Sequence, residues 1–259
     1  MLGLGLGIHR NNYVFGGGAS FDADYQAVLD YATTQGYTLP SESQRVLQNK
    51  LLVDLKSAGV WAKLDTFANF ATDGDTDFAL IDWKRLSQYT AVNSPTFNFN
   101  KGFKGNGTSS YIDTNFNDFT DGVNYQQDDA SRYLFLWLAD GTGALDGKSV
   151  AGINNMARTS TSFQRINTTL GLSVSFNYTA DTEMKSIHRT SSTNVELFNG
   201  TTQASRTATS ATLNDNIQLV LRSGSAYGAH QISMYANGAS LVSENTDFVN
   251  AFNTYINSL

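Results

Sequence analysis

Residues able to do acid, base, nucleophilic or metal chemistry are few in this chain and widely spaced. There is no cysteine, so thiol nucleophiles and cysteine metal sites are excluded. The three histidines, His9, His188 and His230, stand far apart. None has a second histidine four residues away with a glutamate between, the spacing that puts two zinc ligands on one helix face. Each is expected in a solvated or edge-strand position. Asp73, Asp75 and Asp77 alternate with Gly74 and Thr76, a pattern that invites calcium. An EF-hand loop needs glycine at its sixth position and glutamate at its twelfth, and those places hold Phe78 and Lys84. A sandwich glycanase strand with alternating acids would need packing residues where Gly74 and Thr76 stand. These acids therefore read as turn formers or helix caps.

Gly141, Gly143 and Gly147 imitate a dinucleotide fingerprint, but the last glycine falls one place late and no convincing helix follows. The chain contains no phosphate-loop motif and no G-x-S-x-G nucleophile elbow. Asn-x-Thr sequons at Asn106, Asn167 and Asn177 arise readily in a sequence rich in Asn and Thr. No cofactor and no metal ligand set is expected.

Composition narrows the partners. The 259 residues carry 17 Lys+Arg against 23 Asp+Glu, a net charge of −6, and only 15% are charged, below the roughly 25% of an average soluble protein. Nucleic-acid binding needs clustered cations and gains its affinity from counterion release, whereas the cations here are scattered and outnumbered. At 41% hydrophobic and 12% aromatic residues, the chain has enough apolar surface to offset its conformational entropy. No run approaches the roughly eighteen apolar residues of a membrane span, and the start MLGLGLGIHRN lacks the basic leader and long apolar run of a signal peptide.

Three kinds of element would position the remaining candidates. Residues 1–20 alternate Gly with Leu or Ile and then run into Gly16, Gly17 and Gly18, which reads as an extended arm. Residues 21–95 read as a helical module. Asp22 caps a helix with Tyr25, Val28, Leu29 and Ala32 on one face, closed by Gly36. Ser41 and Gln44 form a capping-box pair before a second helix with Leu47, Leu51 and Leu55, ending at Gly59. Trp61, Leu64, Phe67, Ala68 and Ala71 suggest a third. Beyond Pro95 the period changes to short apolar or alternating runs with turn signals between them. Tyr133 to Leu138 is continuously apolar, suiting the middle of a buried sheet. Leu172, Val174, Phe176 and Tyr178 alternate with polar residues, and Asn199-Gly200 and Asn237-Gly238 are expected hairpin turns. Phe248, Val249, Phe252, Tyr255, Ile256 and Leu259 form one face of a closing helix capped by Asn245 or Thr246.

The segment FNFNKGFKGNGTSSYIDTNF (Phe97 to Phe116) resembles the opening of laminin-G-like, or concanavalin A-like, domains: a strand, a glycine-rich turn, then an exposed YID strand. VELFNG (Val195 to Gly200) and the closing run from His230 to Leu259 resemble their later hairpin and their last strand with its terminal helix. The whole chain, including GYTLPSESQ (Gly36 to Gln44) and DGDTDFALIDWK (Asp73 to Lys84), further resembles virion proteins of bacteriophages that infect Bacteroidetes hosts. The resemblance implies a mainly β fold: a concanavalin A-like (laminin-G-like) antiparallel β-sandwich over residues 96–259, preceded by the small helical N-terminal module and closed by a C-terminal helix.

What it implies about function is a non-enzymatic fibre, spike or decoration subunit on the phage particle surface, made in the host bacterial cytoplasm. The arm, with Leu2, Leu4, Leu6 and Ile8, would attach it to other virion proteins or to its own copies. A homo-oligomer is expected, a trimer by analogy with fibres and spikes. No nucleic acid and no membrane span are expected among its partners. Two alternatives share the fold: an adhesin for host surface polysaccharide, and a glycan hydrolase, which would need two carboxylates about 5 to 9.5 Å apart. If a saccharide binds, Tyr227 on the glycine-flanked loop SGSAYGAH offers an aromatic ring, and Asp140 and Asp146 bracket a second loop. Trp83 has apolar flanks and is expected to be buried against the helices or the first strand.

Overall fold

The computed structural model describes residues 20–150, 154–158, 162–174 and 182–259. The arm residues Leu2, Leu4, Leu6 and Ile8 lie outside the described residues, as do His9, Phe176, Asn177 and Tyr178.

Local sequence signals form the first helices. In α1 (Ala23–Gln35) Asp22 Oδ1 accepts from the Asp24 N–H at 2.9 Å, Gly36 closes the C-terminus at φ 78°, and Tyr25, Val28, Leu29 and Ala32 are the buried face. In α2 (Glu42–Ser57) the Ser41 hydroxyl accepts from the Gln44 N–H. The reciprocal half of the expected capping box is absent. The Gln44 side chain instead reaches across to Asn100 Oδ1 at 2.6 Å and accepts from Thr72. The alternating acids are caps: Asp75 accepts from the Phe78 N–H at the start of a four-residue helix, and Asp73 accepts from the Ser41 N–H at 3.0 Å.

The remaining elements follow in chain order: α3 (Val60–Lys63), β1 (Leu64–Asn69), α4 (Thr76–Ala79), β2 (Ile81–Asp82), β3 (Ser87–Gln88), β4 (Thr90–Val92), β5 (Thr96–Asn98), β6 (Gly102–Lys104), β7 (Tyr111–Asp113), β8 (Ala130–Leu138), β9 (Gly143–Lys148), β10 (Asn155–Arg158), β11 (Ser162–Arg165), β12 (Leu172–Val174), β13 (Glu183–Arg189), β14 (Asn194–Asn199), β15 (Thr202–Thr207), β16 (Gln218–Val220), β17 (Arg222–Ser223), β18 (Ala226–Tyr227), β19 (Gln231–Gly238) and α5 (Asn245–Ile256).

Among the described residues the strands make two large antiparallel sheets. One runs β15-β14-β13-β8-β19-β6-β5, and the other β12-β11-β10-β9-β16-β7-β4. Strand β6 pairs with the start of β19, and β1 pairs with its end. The sheets pack face to face through Leu134, Leu136, Ile187, Leu197 and Tyr235 from the first and Ile112, Leu145, Met156 and Val220 from the second. Side chains alternate along a strand, so β8 also turns Tyr133 and Phe135 the other way, onto α1, α2 and α5. The order is helices, first sheet, second sheet. The first sheet is covered on both faces, and this is why its central strand is continuously apolar.

This is the mainly β architecture expected, with antiparallel sheets and a C-terminal helix. Among the described residues no helix is long and apolar enough to cross a membrane.

Several expectations are corrected. The third helix expected over Trp61 to Ala71 is only one turn, α3, and the chain then enters β1. All six residues of β1 are buried, so no solvated face exists to give a helix its stripe, and the ladder with β19 from Leu64↔Gly238 to Asn69↔Met234 takes its backbone groups. The boundary expected at residues 95 and 96 is crossed by sheet pairing, since β1 joins the first sheet and β4 pairs with β7 in the second. Asn199-Gly200 does turn the β14–β15 hairpin, with Gly200 at φ 58°. Asn237-Gly238 instead forms the last two residues of β19, where a Cβ on Gly238 would stand 2.1 Å from the Lys63 carbonyl oxygen. Close strand approach, not a turn, explains that glycine. Asn245 opens α5 without capping it. Its buried side chain accepts from the Tyr133 hydroxyl at 3.1 Å and donates to the Gly200 carbonyl. Leu259 lies beyond the helix and is 37% exposed.

Candidate functional site

Alternation along β7 buries Ile112 between the sheets and turns Tyr111 outward, where it is half-buried. Downstream, Leu221 leaves β16 and the chain makes the β17–β18 hairpin, in which Arg222 pairs with Tyr227 and Ser223 with Ala226. The hairpin lies close on the second sheet. A Cβ on Gly147 of β9 would meet the Ser223 side chain at 2.4 Å, and one on Gly228 would stand 2.1 Å from the Ala144 carbonyl oxygen. The glycine flanking Tyr227 is thus a packing requirement that holds the ring in place.

Three side chains converge there. The Arg222 guanidinium carbon lies 4.6 Å from the Tyr111 ring centroid and 5.3 Å from that of Tyr227, and the rings are 6.2 Å apart, tilted by 52°. Arg222 Nε donates to the Gly224 carbonyl at 2.9 Å, which orients the guanidinium plane. Among the described residues its two terminal nitrogens have no acidic partner, and the two tyrosine hydroxyls have no protein hydrogen bond. The cluster combines apolar ring surface, a cation held by ring quadrupoles and several open polar groups.

Asp140 belongs to the loop that borders the β17–β18 hairpin. Its backbone N–H donates to His230 Nδ1 at 3.1 Å, three residues after Tyr227, and its exposed carboxylate pairs with Lys104 Nζ at 2.8 Å. A Cβ on Gly143, in the same loop, would meet the Tyr227 carbonyl oxygen. Of the sequence candidates, Tyr227 and the Asp140 loop are therefore neighbours.

Asp146 is not with them, which corrects its expected place on a ligand loop. It is in register with Met156 and Val220, which face the core between the sheets, and it is fully buried there. It pairs with Arg132 at 3.1 Å and accepts from the Met156 N–H at 2.6 Å. Burial pushes its carboxyl up to about 6, against the pull of Arg132. A second buried pair, Lys148 and Asp118, lies in the same interior, with Asn154 and Gln218 donating to the other Asp118 oxygen. Burial raises Asp118 and lowers Lys148.

His188 and His230 differ from expectation too. His188 is on a central strand, fully buried, edge-on to Tyr133 and Phe198, with Nδ1 accepting from the Leu241 N–H and Nε2 bonded to the Ser186 hydroxyl. Burial pushes its pKa down to about 3, so it is a neutral core residue. His230 is also buried. The sequon residue Asn167 is buried with φ 48°, its amide holding the Gln127 carbonyl. Trp83 is buried as expected, against Tyr25 of α1 and Phe67 of β1. It lines a cavity of about 150 Å³ with Asp24, Trp61 and Lys84. Those three satisfy one another: Trp61 Nε1 donates to Asp24, and Lys84 lies 4.6 Å over the Trp61 ring.

Sequence reasoning missed Tyr111 and Arg222. Tyr111 had one signal, as the outward residue of an alternating Tyr-Ile-Asp run. Arg222 had only its position five residues before Tyr227, the spacing of a cross-strand pair over a two-residue turn.

No protein-family model matches the chain, and no curated protein matches it. Solved structures do match in fold. A mutant of Trypanosoma rangeli sialidase displaying trans-sialidase activity is similar with a TM-score of 0.54 at 10% identity, over 81% of this chain and 39% of that one. The receptor binding domain of botulinum neurotoxin C/D mosaic serotype is similar with a TM-score of 0.54 at 10% identity, over 73% of this chain and 51% of that one. The chain thus spans about two fifths of the sialidase and half of the toxin domain, and what it shares with them is the β-sandwich fold.

Proposed function

We propose that this chain is a non-enzymatic surface protein of a bacteriophage particle whose sandwich binds host surface polysaccharide at Tyr111, Arg222 and Tyr227. The observation that carries the binding reading is the stacked Tyr–Arg–Tyr cluster with its hydroxyls and terminal guanidinium nitrogens open. A saccharide ring presents C–H groups to an aromatic or guanidinium surface and hydroxyls to the polar groups around it, and these side chains supply both. The sparse charge of the surface suits contact of this kind better than electrostatic capture.

The non-enzymatic part is supported by the state of the buried acids. Asp118 and Asp146 are committed to Lys148 and Arg132 inside the sandwich, and the exposed Asp140 pairs with Lys104. The virion part is supported by the sequence resemblance and by the absence of cysteine, which suits a protein folded in a reducing cytoplasm and displayed outside. Attachment through Leu2, Leu4, Leu6 and Ile8, and a homo-oligomeric assembly, complete the proposal.

The test of binding is an array of bacterial surface polysaccharides probed with the full chain and with Tyr227→Ala. Retention of wild-type chain on at least one polysaccharide, lost in the variant, is expected. Silence across the array overturns the binding reading. Proteomics of purified particles tests the location, and particle incorporation without residues 1–18 would overturn the anchoring role.

A further inference from the structure

Arg222 adds something that aromatic stacking alone does not. Several exposed or half-exposed cations are neutralised by an acid: Lys50 has Asp54, Lys56 has Asp22 and Asp24, Lys63 has Glu244, and Lys104 has Asp140. Arg222 has no acid among the described residues; it has the Gly224 carbonyl, at Nε, and two ring faces. Rings polarise toward a cation without filling its hydrogen-bonding sites, so both terminal nitrogens keep their donors. With Nε tied to Gly224 and the plane held against Tyr111, the guanidinium is oriented before any ligand arrives. A fixed planar fork of N–H donors matches a carboxylate in bidentate geometry.

We infer that the Tyr111–Arg222–Tyr227 cluster selects acidic saccharides, with Arg222 gripping the sugar carboxylate while the tyrosine rings and hydroxyls take the rest of the residue. This inference rests on the proposed glycan binding and names its ligand class. The chain's net charge of −6 works against general attraction of polyanions, so recognition has to come from the local fork. Uronic and sialic acids share the required chemistry, a carboxylate on a pyranose ring. Preorganisation matters because the guanidinium loses little freedom on binding.

The experiment uses the full chain and titrates it with polygalacturonate, with fully methyl-esterified polygalacturonate, with sialyllactose, with lactose and with dextran sulfate. The expected result is at least tenfold tighter binding to an acidic glycan than to its neutral counterpart. Polygalacturonate as the responder identifies a uronic acid, and sialyllactose a sialic acid. Arg222→Gln should abolish the preference at an unchanged melting temperature, and Arg222→Lys should restore only part of it because an ammonium has no fork. Equal binding to acidic and neutral partners, a preference that survives in Arg222→Gln, or equal capture of dextran sulfate overturns the inference and leaves glycan binding standing. Absence of binding to all five, with the polysaccharide array silent as well, overturns both.

Discussion

Arg222 and Tyr227 are register partners across a two-residue turn, and the guanidinium of one covers the ring of the other at 5.3 Å while also covering Tyr111 at 4.6 Å. A backbone pairing thus sets the spacing of a side-chain cluster. Replacing Tyr111 or Tyr227 by alanine removes ring area and the cation's support together. Each change is expected to weaken glycan binding by about tenfold or more, which is about 1.4 kcal/mol. Both rings are half-buried and Tyr111 packs on the core between the sheets, so stability should fall by about 1 kcal/mol as well. Titration and urea melts on the same samples check both.

Gly228 tests how closely the hairpin must lie. A methyl group there meets the Ala144 carbonyl oxygen at 2.1 Å, and backbone cannot rotate away as a side chain can. Gly228→Ala is expected to cost about 1–3 kcal/mol, the range for overpacking, and to weaken glycan binding by displacing Tyr227. Unchanged denaturation and unchanged binding would show that the hairpin tolerates a lift from the sheet.

The Arg132–Asp146 pair is buried on both sides at 3.1 Å. Removing one partner leaves an uncompensated charge, so Arg132→Met is expected to cost about 3–5 kcal/mol. Replacing both, as Arg132→Met with Asp146→Leu, should recover much of that loss. A double-mutant cycle by chemical denaturation measures the coupling, and additive single effects would refute it.

Asp82 gives the pH prediction. It is fully buried, its Oδ1 accepts from the Phe67, Lys84 and Arg85 N–H groups, and burial pushes its carboxyl from 3.8 up to about 7. The folded state therefore holds this proton more tightly than the unfolded chain. Its contribution to stability is complete below about pH 4 and is lost as pH rises through about 7. Asp82→Asn keeps the accepting oxygen and removes the titration. Relative to wild type, the variant should gain on the order of 4 kcal/mol between pH 4 and pH 8. Parallel melting curves for the two proteins at every pH would contradict this.

Phe248 joins the terminal helix to the rest. It is fully buried, 4.6 Å from the Tyr133 ring and 6.4 Å from that of Phe67. Phe248→Ala is expected to cost about 3–5 kcal/mol. Because α5 covers the first sheet, hydrogen exchange should rise along β8 as well as within the helix.

Much of the fold is legible one segment at a time. Asp22 and Gly36 bound α1 through bonds within a few residues of themselves, the run from Tyr133 to Leu138 needs only its own hydrophobicity to be read as a central strand, and Gly200 turns its hairpin by its own backbone freedom. Tyr227 was legible for a similar reason, since a tyrosine between glycines stands out locally. The rest was not. Trp61, Leu64 and Phe67 fit a helical spacing until β19, more than 160 residues away in the chain, offers an edge to pair with. Asp146 looked like an exposed acid because nothing near it in sequence reveals Arg132 on the facing sheet.

The sequence by itself therefore determined the caps, the strand runs, the change of period and the mainly β class, because each depends on backbone preferences and hydrophobic patterning over short distances. Tertiary structure alone decided which acids were buried and paired, which residues left the helical module to join the sheets, and that Tyr111 would meet Arg222. Those outcomes depend on two sheets closing on each other, and the energy of a charge or a ring contact is set by what the fold brings opposite it.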